Sequence, residues 1–241
     1  LIAIAKEENF DTCFYAVDTI NEVALVKKIE EIKPDIIAYS VMTFEHGALH
    51  SLNEKLKSKL KFISIFGGPH YTFNPEEIRA HKQIDIVCVG EGERTFRAFL
   101  RCVKNNEDYS DIPNLLVRCD GAIKENPIES LVDDLDEVPF ADRETILLDA
   151  KGYRHLGRTS IVMIGRGCPY QCAYCFNAKY NELYKKHRNK IVRWRSVGSV
   201  IAEMRQIKKI SAIDYFTIID DALNLLPKDY IRDFCGRYKN E

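Results

Sequence analysis

The chain of 241 residues allows one large domain or two modest ones, and its hydrophobic share of 46% is ordinary for a folded globular protein. No apolar run approaches the eighteen or so residues of a membrane helix; the longest, residues 36–44, reads as a buried strand. A net charge of −1 argues against a nucleic-acid partner, and nothing in the spacing of the eight cysteines suggests a secreted disulfide scaffold.

In chain order, residues 1–8 read as a helix and 12–17 as a strand. Residues 20–32 follow as an amphipathic helix ended by Pro34. Residues 35–42 are a near-continuous apolar strand suited to a buried parallel sheet. A polar helix over 48–59 leads to a strand over 62–66 that closes on Gly67-Gly68-Pro69-His70. The strand over 84–89 runs into Gly90-Glu91-Gly92-Glu93 and a helix through Val103. This alternation predicts a doubly wound α/β domain. The strand ends carrying Ser40-Val41-Met42-Thr43, Gly67-Gly68 and Gly90-Glu91-Gly92 then fall on one edge, where such sheets bind ligands. Neither glycine turn has the dinucleotide-binding fingerprint.

Residues 105–111 are polar and read as a linker. Beyond them Asp120-Gly121 is a two-residue hairpin signal between strands over 115–118 and 122–124. The acidic run 133–137 leading to Pro139 reads as an extended connector. A strand over 159–164 follows, and later Ser196 is placed to cap a helix over 197–209. Residues 215–219 form a short apolar strand ending in Asp220-Asp221, and 227–238 a helix with proline at its start. Carboxylates at the C-terminal end of a barrel strand stand where barrel enzymes place functional groups. The alternative for Asp220-Asp221 is a solvated turn. The basic stretch Lys185-Lys186-His187-Arg188-Asn189-Lys190, continuing to Arg193-Trp194-Arg195, reads more readily as solvated surface than as an anion-binding patch.

The segment Gly165-Arg166-Gly167-Cys168-Pro169-Tyr170-Gln171-Cys172-Ala173-Tyr174-Cys175 carries the strongest chemical signal. Three thiolates can hold three corners of a [4Fe–4S] cluster, whereas an electron-transfer cluster takes four, so one iron stays open for a ligand. Structural zinc needs four closing ligands, and no second Cys/His pair follows. His187 is single and lies within the basic run. Cys13, Cys88, Cys102, Cys119 and Cys235 share no ligand spacing and fit the ordinary role of cysteine as a small hydrophobe.

Cys168, Cys172, Tyr174 and Cys175 resemble the signature of the radical S-adenosylmethionine (SAM) enzymes. The resemblance implies a cluster whose open iron is chelated by SAM, and reductive cleavage of SAM to methionine and a 5′-deoxyadenosyl radical. It places Tyr174 at the adenine and Arg195, with Arg193, near SAM. Asp220-Asp221 replaces the Gly-Gly-Glu-like segment that many members use for the SAM amino group, a departure shared with the cobalamin-linked branch. Gly67-Gly68-Pro69-His70-Tyr71-Thr72 with Pro75-Glu76-Glu77, and Gly90-Glu91-Gly92-Glu93 with Thr95-Phe96, are similar to that branch's B12-binding domain. So is Ser40-x-Met42 with the glycine pair after 24 intervening residues.

The resemblance covers essentially the whole chain and implies three parts. Residues 1–108 are a Rossmann-like (flavodoxin-like) cobalamin-binding domain lacking its first strand. Residues 109–156 are a connector, and 157–241 are the beginning of a β/α partial barrel of TIM type. Ser40, Met42, Thr43, Gly67, Gly68, Pro69, His70, Gly90, Glu91 and Gly92 become the expected cobalamin contacts. A cobalt-ligating histidine loop would fall before Leu1; His46 is the nearest stand-in, and a local turn role suits it better. The expected enzyme acts on a carbon of a small molecule by methyl transfer, or by cyclisation or rearrangement. It is expected in the cytoplasm, with an electron donor such as flavodoxin or ferredoxin. The alternatives are an RNA-modifying methylthiotransferase, which would need a second cluster, and a non-enzymatic cobalamin sensor.

Overall fold

The computed structural model describes residues 1–16, 21–149, 158–187 and 190–240. The chain divides into two compact units, the first running essentially to Glu129 and the second from Ser130 onward.

In the first unit α1 (Ile2–Glu7) precedes α2 (Glu22–Ile32). The side chain of Asn21 caps α2 by accepting from the Val23 N–H at 2.9 Å, and Lys33 ends it in the left-handed conformation just before Pro34. Then come β1 (Ile36–Ser40), α3 (His46–Lys57), β2 (Ile63–Gly67), α4 (Pro69–Phe73), β3 (Ile86–Cys88) and α5 (Glu93–Asn105). The three strands are parallel neighbours, with Ser40 level with Gly67. A core of Ile4, Ile65, Ile86, Phe96, Phe99, Leu100, Leu115 and Val117 lies beneath them, so burial on the sheet's face fixes its register. Arg97 and Arg101 of α5 hold Glu8, at the end of α1, in ion pairs that draw its carboxyl down to about 2.

Two features differ from the sequence expectation. Residues 12–16 form no strand, while Val17 lies outside the described residues. Aromatic and β-branched residues favour an extended chain, but a strand needs a partner ladder, and β1 is the sheet edge among the described residues. The hairpin β4 (Leu115–Cys119) and β5 (Ala122–Glu125), expected in a connector, instead extends the sheet. β4 pairs antiparallel with β3, giving the order β1-β2-β3-β4-β5. Its turn uses Asp120 and Gly121 at φ 47° and 82°, as a type I′ hairpin requires.

The second unit contains α6 (Arg143–Asp149), β6 (Thr159–Val162), β7 (Gly165–Arg166), α7 (Phe176–Leu183), β8 (Arg193–Trp194), α8 (Val197–Ile210), β9 (Tyr215–Ile218) and α9 (Lys228–Tyr238). β6 and β9 are parallel with α8 crossing between them, the βαβ unit from which β/α barrels are built. Ser196 caps α8 as expected, accepting from the Ser199 N–H at 3.1 Å. Val200, Ile201, Met204 and Ile207 of α8 bury themselves against Val162 and Ile164. Because β6 and β9 are parallel, their C-terminal ends deliver the cysteine loop and Asp220-Asp221 to the same edge. No helix among the described residues is long and apolar enough to cross a membrane.

Candidate functional site

In the first unit two of the three expected strand ends are joined through backbone. Val41 N–H donates to the Gly67 carbonyl at 2.9 Å, and His70 N–H donates to the Val41 carbonyl at 3.1 Å. Gly68 sits at φ 89°, ψ −176°, a region essentially reserved for glycine. A Cβ there would stand 2.7 Å from Val41 N and 2.9 Å from Val41 O. The buried Thr72 hydroxyl donates to the Gly68 carbonyl at 2.9 Å and accepts from the Gly90 N–H at 3.1 Å, tying the third strand end to the second. Ser40, Met42, Thr43 and Pro69 are exposed along this edge, and Phe44 is 83% exposed. Gly67, Gly90, Glu91 and Gly92 are half-buried. The edge is a cradle of bare backbone with a rim of open side chains, which suits a broad, flat ligand.

The ring of His70 is turned away from solvent, at 3% exposure. Its Nε2 lies 3.0 Å from Glu77 Oε2 and its Nδ1 3.4 Å from Thr43 Oγ1. Burial and the neighbouring His81 draw the buried His50 down to about 4. His50, His81 and Glu77 carried no signal of a group in the sequence, because 30 residues, β2 among them, lie between His50 and His81.

In the second unit the cysteine loop is held by side chains from elsewhere. Asp221 accepts from the Gly167 N–H at 2.8 Å with one oxygen and from the Asn177 side-chain amide at 3.2 Å with the other. Asn181 donates to the Cys168 carbonyl at 2.8 Å, and Cys175 N–H to the Cys172 carbonyl at 3.0 Å. Gly167, at φ 90°, has the Ile191 carbonyl oxygen 2.1 Å from where a Cβ would stand. Cys168 is buried, Cys175 half-buried and Cys172 exposed, and none is in a disulfide. Cys175 is the residue that opens α7, so its sulfur stands at the positive end of a helix, which suits an anionic ligand set. Tyr174 is 94% exposed beside them. Three free thiols on one anchored loop fit a group needing three sulfur corners and one open metal.

Asp220 differs from its neighbour. Burial raises its carboxyl above the usual range, and its Oδ2 is a buried oxygen with no recorded hydrogen bond among the described residues. Asp221 spends one oxygen on the loop and the other on Asn177 of α7. Arg195 bonds to Ser199, the Met163 carbonyl and the buried Glu203, with Phe140 against its plane at 5.2 Å. Arg143 completes this buried cluster by pairing with Glu203 at 2.8 Å. Arg193 is 2% exposed and donates to the Val132 carbonyl at 2.6 Å. Arg188 and Asn189 of the basic run lie outside the described residues, and Lys190 stands over the Trp194 ring at 5.4 Å. Sequence reasoning missed Asn177 and Asn181, whose positions in α7 gave no motif.

Residues 1–100 match the model of the B12 binding domain. The relatives and solved structures to which the chain is similar include cobalamin-dependent radical SAM enzymes. It is 27% identical over 221 residues to an uncharacterized methyltransferase of Pyrococcus horikoshii, spanning 90% of this chain and 46% of the relative. It is 24% identical over 225 residues to the anaerobic magnesium-protoporphyrin IX monomethyl ester cyclase of Rubrivivax gelatinosus, spanning 90% of this chain and 38% of the relative. The chain thus spans less than half the length of these curated relatives. Its fold is that of TsrM, a radical SAM methyltransferase of Kitasatospora setae solved with cobalamin and a [4Fe–4S] cluster bound. The TM-score is 0.73 at 14% identity, over 100% of this chain and 48% of that one. The cobalamin-dependent SAM radical enzyme OxsB matches at a TM-score of 0.70 and 21% identity, over 92% of this chain and 31% of that one.

Proposed function

We propose that this chain supplies the cobalamin-binding edge and the cluster loop of a radical SAM enzyme that modifies a carbon of a small molecule, by methyl transfer in the first instance. The observation that carries the reading is the loop of Cys168, Cys172 and Cys175, anchored by Asp221 at the C-terminal edge of a parallel βαβ unit. Cyclisation, as in the cyclase relative, is the neighbouring reaction.

When bound, the cluster with SAM supplies the radical chemistry and cobalamin a methyl carrier. The chain's own contribution is positional. Cys168, Cys172 and Cys175 would hold three irons, and the anchored Gly167–Cys168 backbone keeps their loop in one conformation. Tyr174 offers an open aromatic face beside the cysteines, which would suit a nucleobase. Asp220, with its buried oxygen, is the acceptor best placed on that edge for an ammonium group. The chains of Ser40, Met42 and Thr43 and the bare backbone of Gly67, Gly68 and Gly90 would cradle cobalamin, with Glu91, Gly92, Pro69 and the main chain of His70 around them. An electron donor of flavodoxin or ferredoxin type and a cytoplasmic setting accompany this reading. A second cluster on Cys13 and Cys88 is disfavoured, because Cys88 is buried with its thiol pushed up to about 12.

The test is Cys172→Ala in the intact protein, reconstituted anaerobically with iron, sulfide, SAM and hydroxocobalamin. Formation of 5′-deoxyadenosine should fall to background while cobalamin stays bound. SAM cleavage persisting in the variant would overturn the radical reading, and a parent protein that retains no cobalamin would overturn the B12 reading.

A further inference from the structure

Four of the six histidines in the chain gather in the first unit, around one carboxylate. One ligand atom each from His46, His70 and Glu77 lies within 4.8 Å of the others, and the same holds for His50, Glu77 and His81. The His46 and His70 rings stack at 4.6 Å between centroids, and those of His50 and His81 approach to 3.7 Å. The first group shares His70 with the glycine edge, to which His70 contributes its main chain, and neither group belongs to the cysteine loop.

We propose that His46, His70 and Glu77 form a site for a divalent transition-metal ion of the zinc class. Two imidazoles and a carboxylate, with a fourth position left to water, are a ligand set that holds zinc in proteins. Imidazole-rich sites suit zinc and its neighbours rather than magnesium or calcium.

What separates this trio from an ordinary hydrogen-bonded cluster is the anchoring of its rings. A carbonyl oxygen only accepts, so the contact of 2.6 Å between His46 Nδ1 and the Thr43 carbonyl puts the proton on Nδ1. The lone pair of His46 is therefore on Nε2, free for a metal. The hydroxyl of the same Thr43 stands 3.4 Å from His70 Nδ1, which leaves His70 Nε2 directed at Glu77 Oε2, 3.0 Å away. One threonine thus orients both imidazoles from behind, the arrangement by which metal-ligating histidines are usually held. In the ion-free protein the direct contact between His70 and Glu77 occupies the place of the metal. His50 has its Nε2 held by the Tyr71 hydroxyl and shares Glu77 with His81, so this second pair flanks the same carboxylate. An ion on the first trio would fix the start of α3, at His46, to α4 and the turn at Glu77.

The experiment uses the intact protein with Cys168, Cys172 and Cys175 changed to serine, so that the loop thiols cannot capture the ion. After chelator treatment it is titrated with zinc alone, followed by calorimetry, metal content and thermal unfolding. One zinc per chain should bind and raise the melting temperature. His46→Ala, His70→Ala and Glu77→Gln should each weaken binding by more than tenfold, and Glu77→Gln should abolish the thermal shift. Thr43→Val should weaken binding by about tenfold, the scale of losing a partner behind a ligating histidine. His81→Ala and the distant His187→Ala should leave it unchanged. Cobalt(II) in place of zinc should give ligand-field bands without a thiolate charge-transfer band.

Absence of stoichiometric zinc would overturn the proposal, as would a thiolate band. A loss with His81→Ala but not with His46→Ala would overturn the ligand set. If zinc fails to bind and His46→Ala instead alters the spectrum of bound hydroxocobalamin, the group serves cobalamin and the proposal falls. None of these outcomes depends on SAM cleavage, so they stand apart from the test of the radical chemistry.

Discussion

The glycine edge of the first unit and the cysteine loop of the second are both turns at the C-terminal ends of parallel strands, yet they are held by different means. The edge is built from main chain. Val41 bonds directly to Gly67 and to His70, Gly68 accepts from the Thr72 N–H, and the Thr72 side chain brings in Gly90. The loop is held by side chains remote in sequence, since Asp221 lies 54 residues from Gly167 and Asn181 lies 13 from Cys168. A main-chain cradle presents a fixed surface to a large ligand. A loop pinned at a few points keeps its thiols free for metal. The two sites therefore differ in which substitutions should break them.

The largest effect on this contrast is expected from Gly68→Ala. The glycine-only backbone conformation costs an alanine about 1–3 kcal/mol, and the new Cβ would overlap Val41 N and O at 2.7 and 2.9 Å. Cobalamin binding by the intact variant should fall at least tenfold, read by equilibrium dialysis, with iron per chain unchanged after reconstitution. Unaltered cobalamin affinity would mean that the edge is not the binding surface.

Asp221→Asn should have a smaller effect, and on the other site. The asparagine keeps one acceptor and turns an N–H2 group toward the second donor, so either the Gly167 N–H or the Asn177 amide loses its partner. A hydrogen bond to a charged group contributes about 1.5–3 kcal/mol. Iron retained through desalting should fall several-fold while cobalamin binding holds. A variant that keeps its iron would show that the cysteines position themselves.

These differences also explain what the sequence made legible. The strand–helix order, the Ser196 cap and the Asp120-Gly121 turn are local, and each was readable from neighbouring residues. The glycine turns were readable because positive φ demands a residue type. Asn177 and Asn181 were not, since an asparagine in a helix has no distinctive spacing and its partner is set by tertiary packing. The same holds for Arg195, whose bonds to Ser199 and Glu203 follow one helix face but whose contact with Met163 does not. The strand expected over 12–17 failed for a related reason: propensity is local, whereas a ladder partner is not.

The smallest effect is expected from Thr72→Val, and it is the finest probe of the comparison. Valine keeps the branched shape of Thr72 in its buried position, so packing is preserved. It removes the one side-chain hydroxyl that accepts from the Gly90 N–H and donates to the Gly68 carbonyl. The Gly68 carbonyl keeps the Thr72 main-chain N–H at 3.1 Å, so only the Gly90 donor loses its recorded partner. Leaving a buried donor unmatched costs about 1–3 kcal/mol, and Gly90 is only half-buried, which places the cost at the lower end. A chain of this size should then melt a few degrees lower, at about 2–4 °C per kcal/mol. Cobalamin affinity should weaken a few-fold, because Val41, Gly67 and His70 still hold two of the three strand ends. If Thr72→Val instead matches Gly68→Ala in its loss of cobalamin, the edge depends on its one side-chain tie as the cysteine loop depends on Asp221.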